Sequence, residues 1–321
     1  VLSHFNQQQK EKVTVLVATS GDTGSAVANG FLGVENVDVC ILYPKGKVSD
    51  FQERQMTTLG KNIHAFEVNG TFDDCQKLVK TAFLDQSFSQ QLGLTSANSI
   101  NVARFLPQSI YYFYAYGQLQ SKGLPLVFSV PSGNYGNLTA GLFAEQMGLP
   151  IHHFVASSNA NDVVPKYLET EFYEPKPSVS TISNAMDVGD PSNFARMVNL
   201  FKGEIGTFRN HITGFSFSDV ETREAIREIY GKSGYIADPH GAVGYLGIEA
   251  YRDLHRDGPA FNGVFLETAH PIKFKEVVES TLDTSLEIPA SLQTYLTRDK
   301  HSTPIDTDYA SFKGLLIDTL G

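Results

Sequence analysis

Short apolar runs alternate with amphipathic segments along the first third of the chain. The predicted strands are Val13–Val17, Val37–Leu42 and Ile63–Val68, and the predicted helices are Ser25–Leu32, Asp50–Leu59 and Phe72–Leu84. Ser49 and Gln52 form a capping box that marks the start of the second of these helices, and Ser218 and Glu221 form another that marks a later predicted helix, Val220–Tyr230. Because parallel strands need a crossover connection, the alternation predicts a parallel sheet covered by helices.

The alternation returns after the turn Gly123-Leu124-Pro125, so we expect a smaller α/β lobe over residues 1–122 and a larger α/β lobe over 123–321. The second part has predicted strands Leu126–Val130, Ile151–Ala156 and Gly263–Leu266, predicted helices Leu138–Met147, Val220–Tyr230 and Gly241–Leu254, an irregular excursion over 169–195 and a short helical tail over 288–321. Helix Val102–Gln120 carries a dense aromatic face, which predicts a buried helix between the lobes, with a cofactor-binding face as the alternative.

A glycine-rich turn, Pro131-Ser132-Gly133-Asn134-Tyr135-Gly136-Asn137, joins a predicted strand to a predicted helix. Such a turn presents several backbone N–H groups at a helix N-terminus, where they bind phosphate. It has neither the lysine of a nucleotide P-loop nor the G-x-G-x-x-G spacing of a dinucleotide turn. The pattern favours a small phosphorylated cofactor, and an ordinary turn without a ligand is the alternative.

A second polar turn, Ala18-Thr19-Ser20-Gly21-Asp22-Thr23-Gly24-Ser25, follows the first predicted strand and opens a helix. Hydroxyls, N–H groups and one acid converge there, which suits a ligand carboxylate or a phenolate oxygen. The alternative is ordinary N-capping of the helix by Ser20, Asp22 or Thr23.

Composition narrows the function classes. The formal net charge of −10 argues against a nucleic-acid-binding surface, and no apolar run approaches the twenty residues of a membrane span. The start of the chain lacks the apolar segment of a signal peptide. Cys40 and Cys75 form no zinc-binding or disulfide pattern, so we expect buried thiols, no metal and a cytoplasmic location. The adjacent His152 and His153 should face opposite sides of a strand.

Seven ordered stretches carry a resemblance to a known family. They are TVLVATSGDTGSA at 14–26, LYPKGKV at 42–48, ANSINVAR at 97–104, VPSGNYGN at 130–137, VGDPSNFAR at 188–196, DPHGAV at 238–243 and TAHPIKF at 268–274. Together they resemble the threonine synthase family, pyridoxal-phosphate enzymes of fold type II, the tryptophan-synthase-β type. The resemblance implies conversion of O-phospho-L-homoserine and water to L-threonine and phosphate.

The resemblance also implies how the cofactor is held. The phosphate cradle would be Gly133, Asn134, Tyr135, Gly136 and Asn137. Thr268 would be the partner of the ring nitrogen, with simple helix capping as the alternative. Asp22 would lie near the phenolic oxygen of the cofactor.

Substrate-binding residues follow in the same way. Ser20 and Thr23 would help to hold the substrate carboxylate. The polar cluster before and within the next helix would hold the substrate phosphate, and the excursion would contribute two more residues; these are Asn98, Ser99, Asn101, Arg104, Asn193 and Arg196. A surface ion pair is the alternative for Arg104. His240 and Lys273 are weaker candidates for lining the same site.

One feature departs from the family pattern. Family members carry the lysine that binds the cofactor in a Phe-Lys-Asp sequence upstream of the first motif, and this chain has no such sequence. Lys10 and Lys12 are the only lysines before Ser20 and stand too close to the strand. We therefore expect that an N-terminal segment precedes Val1 in the whole molecule, and the catalytic lysine stays unassigned.

Three alternatives remain open at this point. The chain is compatible with another fold-type-II pyridoxal-phosphate lyase, such as a dehydratase or a phospholyase. A non-catalytic module that binds pyridoxal phosphate or a phosphorylated amino acid is a second possibility, because the lysine is not found. A nicotinamide-binding protein is the weakest, because neither glycine turn has the required spacing. The oligomeric state is left open.

Overall fold

The computed structural model describes residues 12–98, 101–120 and 123–320, without the side chain of Ser291. The chain forms two compact units. One combines the chain up to Asn98 with the chain from Glu287 onward, and the other contains the stretch in between, ending at Leu286.

The first unit is built on a parallel sheet. Its strands are β1 (Val13–Ala18), β2 (Val37–Pro44), β3 (Ile63–Val68), β4 (Leu94–Ser96) and β9 (Thr303–Ile305), in the order β4-β1-β2-β3-β9. All of the strand pairs are parallel, and Val15 lies opposite Val39. The helices of this unit are Asp22–Phe31, Asp50–Thr57, Phe72–Leu84, Gln86–Gln91, Ala290–Leu296 and Tyr309–Leu320. The predicted alternation of strands and helices is confirmed.

The second unit contains a smaller parallel sheet. Its strands are β5 (Leu126–Pro131), β6 (His153–Ser158), β7 (Ile212–Ser216) and β8 (Asn262–Phe265), in the order β7-β6-β5-β8. The α-helices are Val102–Phe105, Ser109–Leu119, Gly136–Gln146, Val163–Thr170, Phe194–Leu200, Ile205–His211, Asp219–Ser233, Pro239–Leu254 and Lys275–Leu282. Short 3-10 helices cover Leu106–Gln108, Asn184–Met186 and Pro271–Phe274. Two parallel sheets with helices confirm the predicted α/β class.

The central strands β1, β2, β5 and β6 are buried on both faces, which explains why they are largely apolar runs. In β1, Leu16 packs into one hydrophobic cluster while Val15 and Val17 pack into another, as the period of two along a strand requires. In the second unit, the buried Ser129 hydroxyl donates to the carbonyl of Gly244 at 2.6 Å and lies 2.7 Å from the hydroxyl of Ser157. A buried polar pair is therefore fully satisfied inside that sheet.

The two units do not coincide with the expected division at residue 122. Helix Ser109–Leu119 belongs to the second unit, where Tyr112 contacts Phe128 and Phe154. The C-terminal segment returns to the first unit, because β9 pairs with β3 and Phe312 packs on Phe66. The expectation of a purely helical tail over 288–321 was wrong, since Thr303–Ile305 forms a strand.

The predicted single helix over 102–120 is interrupted. Pro107 lacks an N–H group, and the chain passes through the 3-10 helix Leu106–Gln108 before the second helix begins. The aromatic face is not wholly buried either. Phe105 and Tyr112 are buried, whereas Tyr111, Phe113 and Tyr114 are exposed. Four consecutive aromatic residues cannot share one face of a helix that turns about 100° per residue.

Both capping boxes and both glycine turns lie where the sequence places them. Ser49 and Gln52 cap helix Asp50–Thr57, and Ser218 and Glu221 cap helix Asp219–Ser233. The polar turns follow the carboxyl ends of β1 and β5. In parallel α/β sheets this end of the strands carries the ligand sites.

Candidate functional site

The turn after β1 is organised by Thr19. Its hydroxyl oxygen accepts hydrogen bonds from the backbone N–H groups of Gly21 (2.9 Å) and Gly24 (2.8 Å). Gly21 precedes helix Asp22–Phe31 and has φ 133°, a backbone conformation that residues other than glycine rarely adopt. The alternative of capping by Ser20, Asp22 or Thr23 was wrong, because Gly21 is the N-cap and the helical N–H of Gly24 donates to Thr19 instead. No sequence pattern singles out Thr19 as the organising residue.

Asp22 is fixed from a neighbouring helix. The fully buried Gln52 side chain donates from Nε2 to Asp22 Oδ1 at 3.1 Å, while its Oε1 accepts from the Ser49 backbone at 3.2 Å. A side chain at Gly21 would collide with Gln52, because an added Cβ would lie 2.5 Å from Gln52 Cδ. Gln52 therefore has a second role besides the capping box, which is to position Asp22. Its local sequence predicts only the capping box.

The turn after β5 turns its own side chains into the protein. Tyr135 is buried and adopts left-handed φ 60°, and its hydroxyl lies 2.6 Å from that of Ser158. Asn137 donates from Nδ2 to the Pro131 carbonyl at 2.7 Å, and Tyr112 donates to the Asn137 carbonyl at 2.7 Å. Burial raises the pKa of Tyr135, so its phenol stays protonated.

The excursion packs against this turn and joins its network. Asn134 Oδ1 accepts from the Ser192 backbone at 3.2 Å, and Asn193 donates to the Asn134 carbonyl at 3.0 Å. Arg196 donates to Asn193 Oδ1 at 2.6 Å, and its guanidinium lies 5.4 Å from the centre of the Phe105 ring. The structure therefore brings two of the predicted substrate-binding residues, Asn193 and Arg196, to the turn after β5.

Gly133 is held in a tight space by the same excursion. An added Cβ would lie 2.8 Å from Met186 Cα and 3.0 Å from the Ala185 carbonyl oxygen. Both atoms belong to the backbone, so they cannot move aside cheaply. The excursion over 169–195 thereby fixes the position of the turn.

The predicted cluster around the next helix is divided between the two units. Asn98 belongs to the first unit, and Asn101 and Arg104 belong to the second. Asn98 bonds Ala18 twice, accepting from its N–H (3.2 Å) and donating to its carbonyl (2.7 Å), so it supports the first turn. Asn101 accepts from Ala103 N–H at 3.0 Å and caps helix Val102–Phe105. Burial lowers the pKa of Arg104 to about 10, which still leaves its guanidinium charged at neutral pH. Ser99 lies outside the described residues.

Thr268 is exposed in the loop between β8 and the 3-10 helix Pro271–Phe274. The capping alternative for Thr268 was wrong, since His270 is the N-cap and accepts from Ile272 N–H at 3.1 Å. The preceding residue, Glu267, accepts from the Asp238 backbone N–H at 3.0 Å. His240 is buried, and its Nδ1 lies 2.6 Å from Asp238 Oδ1.

Lys12 is not positioned to serve the first turn. Lys12 pairs with Asp38 at 3.1 Å and donates to the Leu320 carbonyl at 2.8 Å, next to the start of β1. The polar turn follows the other end of that strand. Lys10 lies outside the described residues. Lys273 lies in the 3-10 helix that follows Thr268.

Other titratable groups have structural surroundings. Cys40 and Cys75 are buried, and burial raises both thiol pKa values, that of Cys75 to about 12. His152 is exposed and His153 is buried, as their opposite orientation predicted. Among the described residues, no group of three or more His, Cys, Asp or Glu side chains is arranged to hold a metal ion. In the same part of the chain, no helix combines the length and apolar character needed to cross a membrane.

The turn after β5 fits the phosphate group of a small cofactor. Its asparagine and tyrosine side chains are engaged with the protein. The N–H groups of Gly136 and Asn137, at the start of helix Gly136–Gln146, have no acceptor within the helix, whereas that of Leu138 donates to Asn137 Oδ1 at 2.9 Å. The left-handed Tyr135 is the kind of residue that makes successive N–H groups converge on an anion. Backbone donors at a helix start are therefore the groups that this turn can offer to a phosphate.

Comparisons with known proteins agree with this geometry. The family described as "Pyridoxal-phosphate dependent enzyme" matches residues 1–260, and "Threonine synthase, C-terminal" matches residues 242–315. Threonine synthase from Buchnera aphidicola subsp. Baizongia pistaciae is 45% identical over 319 residues, which are 99% of this chain and 73% of that protein.

Two solved structures match over 99% of this chain and 73% of their own. The crystal structure of threonine synthase from Escherichia coli has a TM-score of 0.92 at 42% identity. The structure of pyridoxal-phosphate-bound threonine synthase from Brucella melitensis has a TM-score of 0.86 at 33% identity. The similarity extends through both compact units and both polar turns, and this chain belongs to the threonine synthase family of pyridoxal-phosphate-dependent enzymes.

Proposed function

We propose that this chain converts O-phospho-L-homoserine and water to L-threonine and phosphate, with pyridoxal phosphate as cofactor. The observation that carries the proposal is 45% identity to a threonine synthase over 99% of the chain. The geometry of the turn after β5 supports it independently, because that turn offers backbone donors to a phosphate.

The turn Gly133 to Asn137 would hold the cofactor phosphate through its backbone N–H groups. The side chains of Asn134, Tyr135 and Asn137 keep that turn in shape. Thr268 would offer its hydroxyl to the ring nitrogen, and Asp22, held by Gln52, would lie near the phenolic oxygen. When bound, pyridoxal phosphate supplies an electron sink that allows protons to leave the carbon atoms of an amino-acid substrate.

Substrate binding is assigned to charged and hydroxyl side chains. Ser20 and Thr23 would hold the substrate carboxylate at the start of helix Asp22–Phe31, where the helix dipole favours an anion. The residues proposed for the substrate phosphate are Asn101, Arg104, Asn193 and Arg196, with Ser99 retained from the sequence pattern. Arg104 and Arg196 supply the positive charge that a phosphate requires against the net charge of −10. Asn98 would act indirectly, because its amide holds Ala18.

A cytoplasmic location is part of the proposal. It is supported by the two buried, reduced cysteines, which a reducing compartment preserves. No residue of the printed sequence is assigned to the lysine that binds the cofactor, so cofactor binding and turnover need separate measurements.

The test measures inorganic phosphate and threonine released from O-phospho-L-homoserine with added pyridoxal phosphate. We expect equimolar products and no loss of water from added L-threonine. Threonine consumption without phosphate release would instead assign a dehydratase. Saturable cofactor binding without either reaction would assign a binding module, and absence of cofactor binding would contradict the proposal altogether.

A further inference from the structure

A fully buried acid, Asp238, and a half-buried acid, Glu267, meet at the start of helix Pro239–Leu254. Asp238 is the N-cap, is fully buried, and accepts at Oδ1 from the backbone N–H of His240 (2.8 Å) and from His240 Nδ1 (2.6 Å). Glu267, which follows β8, accepts at Oε1 from the backbone N–H of Asp238 at 3.0 Å. The two acids therefore join the end of a strand to the start of a helix.

The space for Glu267 is built into the helix. An added Cβ at Gly241 would lie 1.3 Å from Glu267 Oε2 and 2.3 Å from Cδ. Only glycine leaves room for this carboxyl group against the first helical turn. The side chain thus occupies a position that the fold reserves for it.

One oxygen of each acid is left without a hydrogen bond. Asp238 Oδ2 and Glu267 Oε2 are both buried and have no partner among the described residues. The two carboxyl groups contact each other, and two ionised carboxylates in that position would repel without compensation. A single proton between them would turn one acceptor into a donor and satisfy both oxygens. Burial first, and the charge of Asp238 second, raise the pKa of Glu267 to about 8.

The described residues that face the pair include His240, Tyr235 and Asp187. Ala185 N–H donates to His240 Nε2 at 3.1 Å, a hydrogen bond that requires Nε2 as the acceptor and places the ring proton on Nδ1, which faces Asp238 Oδ1. The Tyr235 phenol contacts Glu267, and Asp187 lies beyond His240. The Phe274 ring packs against the His240 ring, with ring centres 4.7 Å apart.

We propose that Asp238 and Glu267 share one proton and that this protonated acid pair positions Thr268, the residue directly after Glu267. The positioning role rests on the proposed contact of Thr268 with the cofactor ring. Loss of the proton places two negative charges side by side and drives the start of the Thr268 loop away from the helix. His240 also accepts from Ala185, which packs on Gly133. The pair of Asp238 and Glu267 is therefore linked to the turn after β5.

The first test is the pH dependence of the free energy of unfolding. Glu267 binds its proton more tightly in the folded protein, so its contribution is full below pH 4.5 and is lost as the pH rises to about 8. The variant Glu267→Gln imitates the protonated acid and should lack this decline. Glu224→Gln removes an exposed helical glutamate and should retain the wild-type profile.

The second test measures the affinity for pyridoxine 5′-phosphate, which lacks an aldehyde and forms no covalent adduct with lysine. Between pH 7 and pH 9 we expect the wild type to lose at least about threefold more affinity than Glu267→Gln. Titration of the ligand itself is common to both proteins and cancels in the ratio.

The outcomes are distinguishable. Parallel unfolding profiles for the wild type and Glu267→Gln would overturn the shared proton, and the wild-type profile alone decides this if the variant does not fold. A pH-dependent difference in stability without a difference in affinity would overturn the positioning of Thr268. If neither protein binds the ligand at any pH, the proposed function fails at its cofactor step and the positioning role fails with it, while the unfolding profiles still decide the shared proton.

Discussion

The two polar turns follow equivalent strand ends but are held in shape by different means. The turn after β1 is held by one of its own hydroxyls, that of Thr19, and from outside by Gln52 of the next helix. The turn after β5 is braced by its own side chains, which point into the protein and bond to β5, β6 and the excursion.

This difference indicates different ligands. A turn whose side chains are spent on support offers its backbone N–H groups, which suits a phosphate. In the turn after β1, Thr19 and Gln52 keep an acid, Asp22, in a defined place at a helix start. The contrast therefore predicts that substitutions in the second turn act through backbone geometry, whereas those around the first turn act through lost support for its amides and for Asp22.

The largest effect is expected from Gly133→Ala. The new Cβ would clash with backbone atoms of Met186 and Ala185, so the turn must shift, at a cost of about 2–3 kcal/mol in unfolding free energy. Affinity for pyridoxine 5′-phosphate, measured by fluorescence titration, should fall at least about tenfold. Gly206→Ala is the matched control, because its Cβ would meet open space in a helix, and it should change neither affinity nor fold. Unchanged affinity in Gly133→Ala would contradict the backbone cradle.

Thr19→Val comes next. The substitution keeps the shape but removes the oxygen that accepts from two buried N–H groups, so we expect a loss of about 2 kcal/mol in urea unfolding. Thr19→Ser retains the acceptor and should recover most of that loss. Equal destabilisation by both variants would mean that the methyl group, rather than the hydroxyl, organises the first turn.

Gln52→Met separates the two tasks of this side chain. Loss of its bonds to Ser49 and Asp22 should cost about 1–2 kcal/mol and should also weaken binding of pyridoxine 5′-phosphate, because Asp22 is released. Ser49→Ala removes the cap alone and should cost about 1 kcal/mol without changing affinity for this ligand. Calorimetric titration of both variants gives the comparison, and identical affinities would remove Asp22 from the cofactor site.

The smallest effect is expected from Tyr135→Phe. It removes the hydroxyl that lies 2.6 Å from Ser158 and should cost about 1 kcal/mol, while the other braces keep the turn in place. Cofactor affinity should therefore stay within about twofold of wild type. A large loss of affinity would show that the phenol itself contacts the ligand, which would reverse the contrast between the turns.

Much of the fold could be predicted because the central strands of both sheets are buried on both faces. Largely apolar runs such as Val13–Val17 and Leu126–Val130 coincide with observed strands, and both capping boxes mark helix starts correctly. The short edge strands β4, β7 and β9 were missed, because a half-buried run of three to five residues carries little periodicity. The return of β9 to β3 depends on tertiary pairing that no local pattern records.

The positions of the two turns could be predicted from the sequence, but the residues that support them could not. Both turns lie in glycine-rich motifs, which contain Gly133, Tyr135 and Asp22 and whose residue types are typical of ligand-binding turns. Gln52 and Glu267 act across the fold, and their local sequence suggests only a helix cap and a strand end. A buried glutamine is a signal that sequence alone does not reveal, since burial is decided by packing.

The most direct test of the central claim is backbone amide NMR of the protein titrated with pyridoxine 5′-phosphate and, separately, with unphosphorylated pyridoxine. We expect the amide signals of residues 133–137 to shift in a saturable manner with the phosphorylated ligand and to stay in place with pyridoxine at the same concentration. Shifts confined to other parts of the chain, or equal shifts with both ligands, would contradict a phosphate cradle made of backbone N–H groups in the turn after β5.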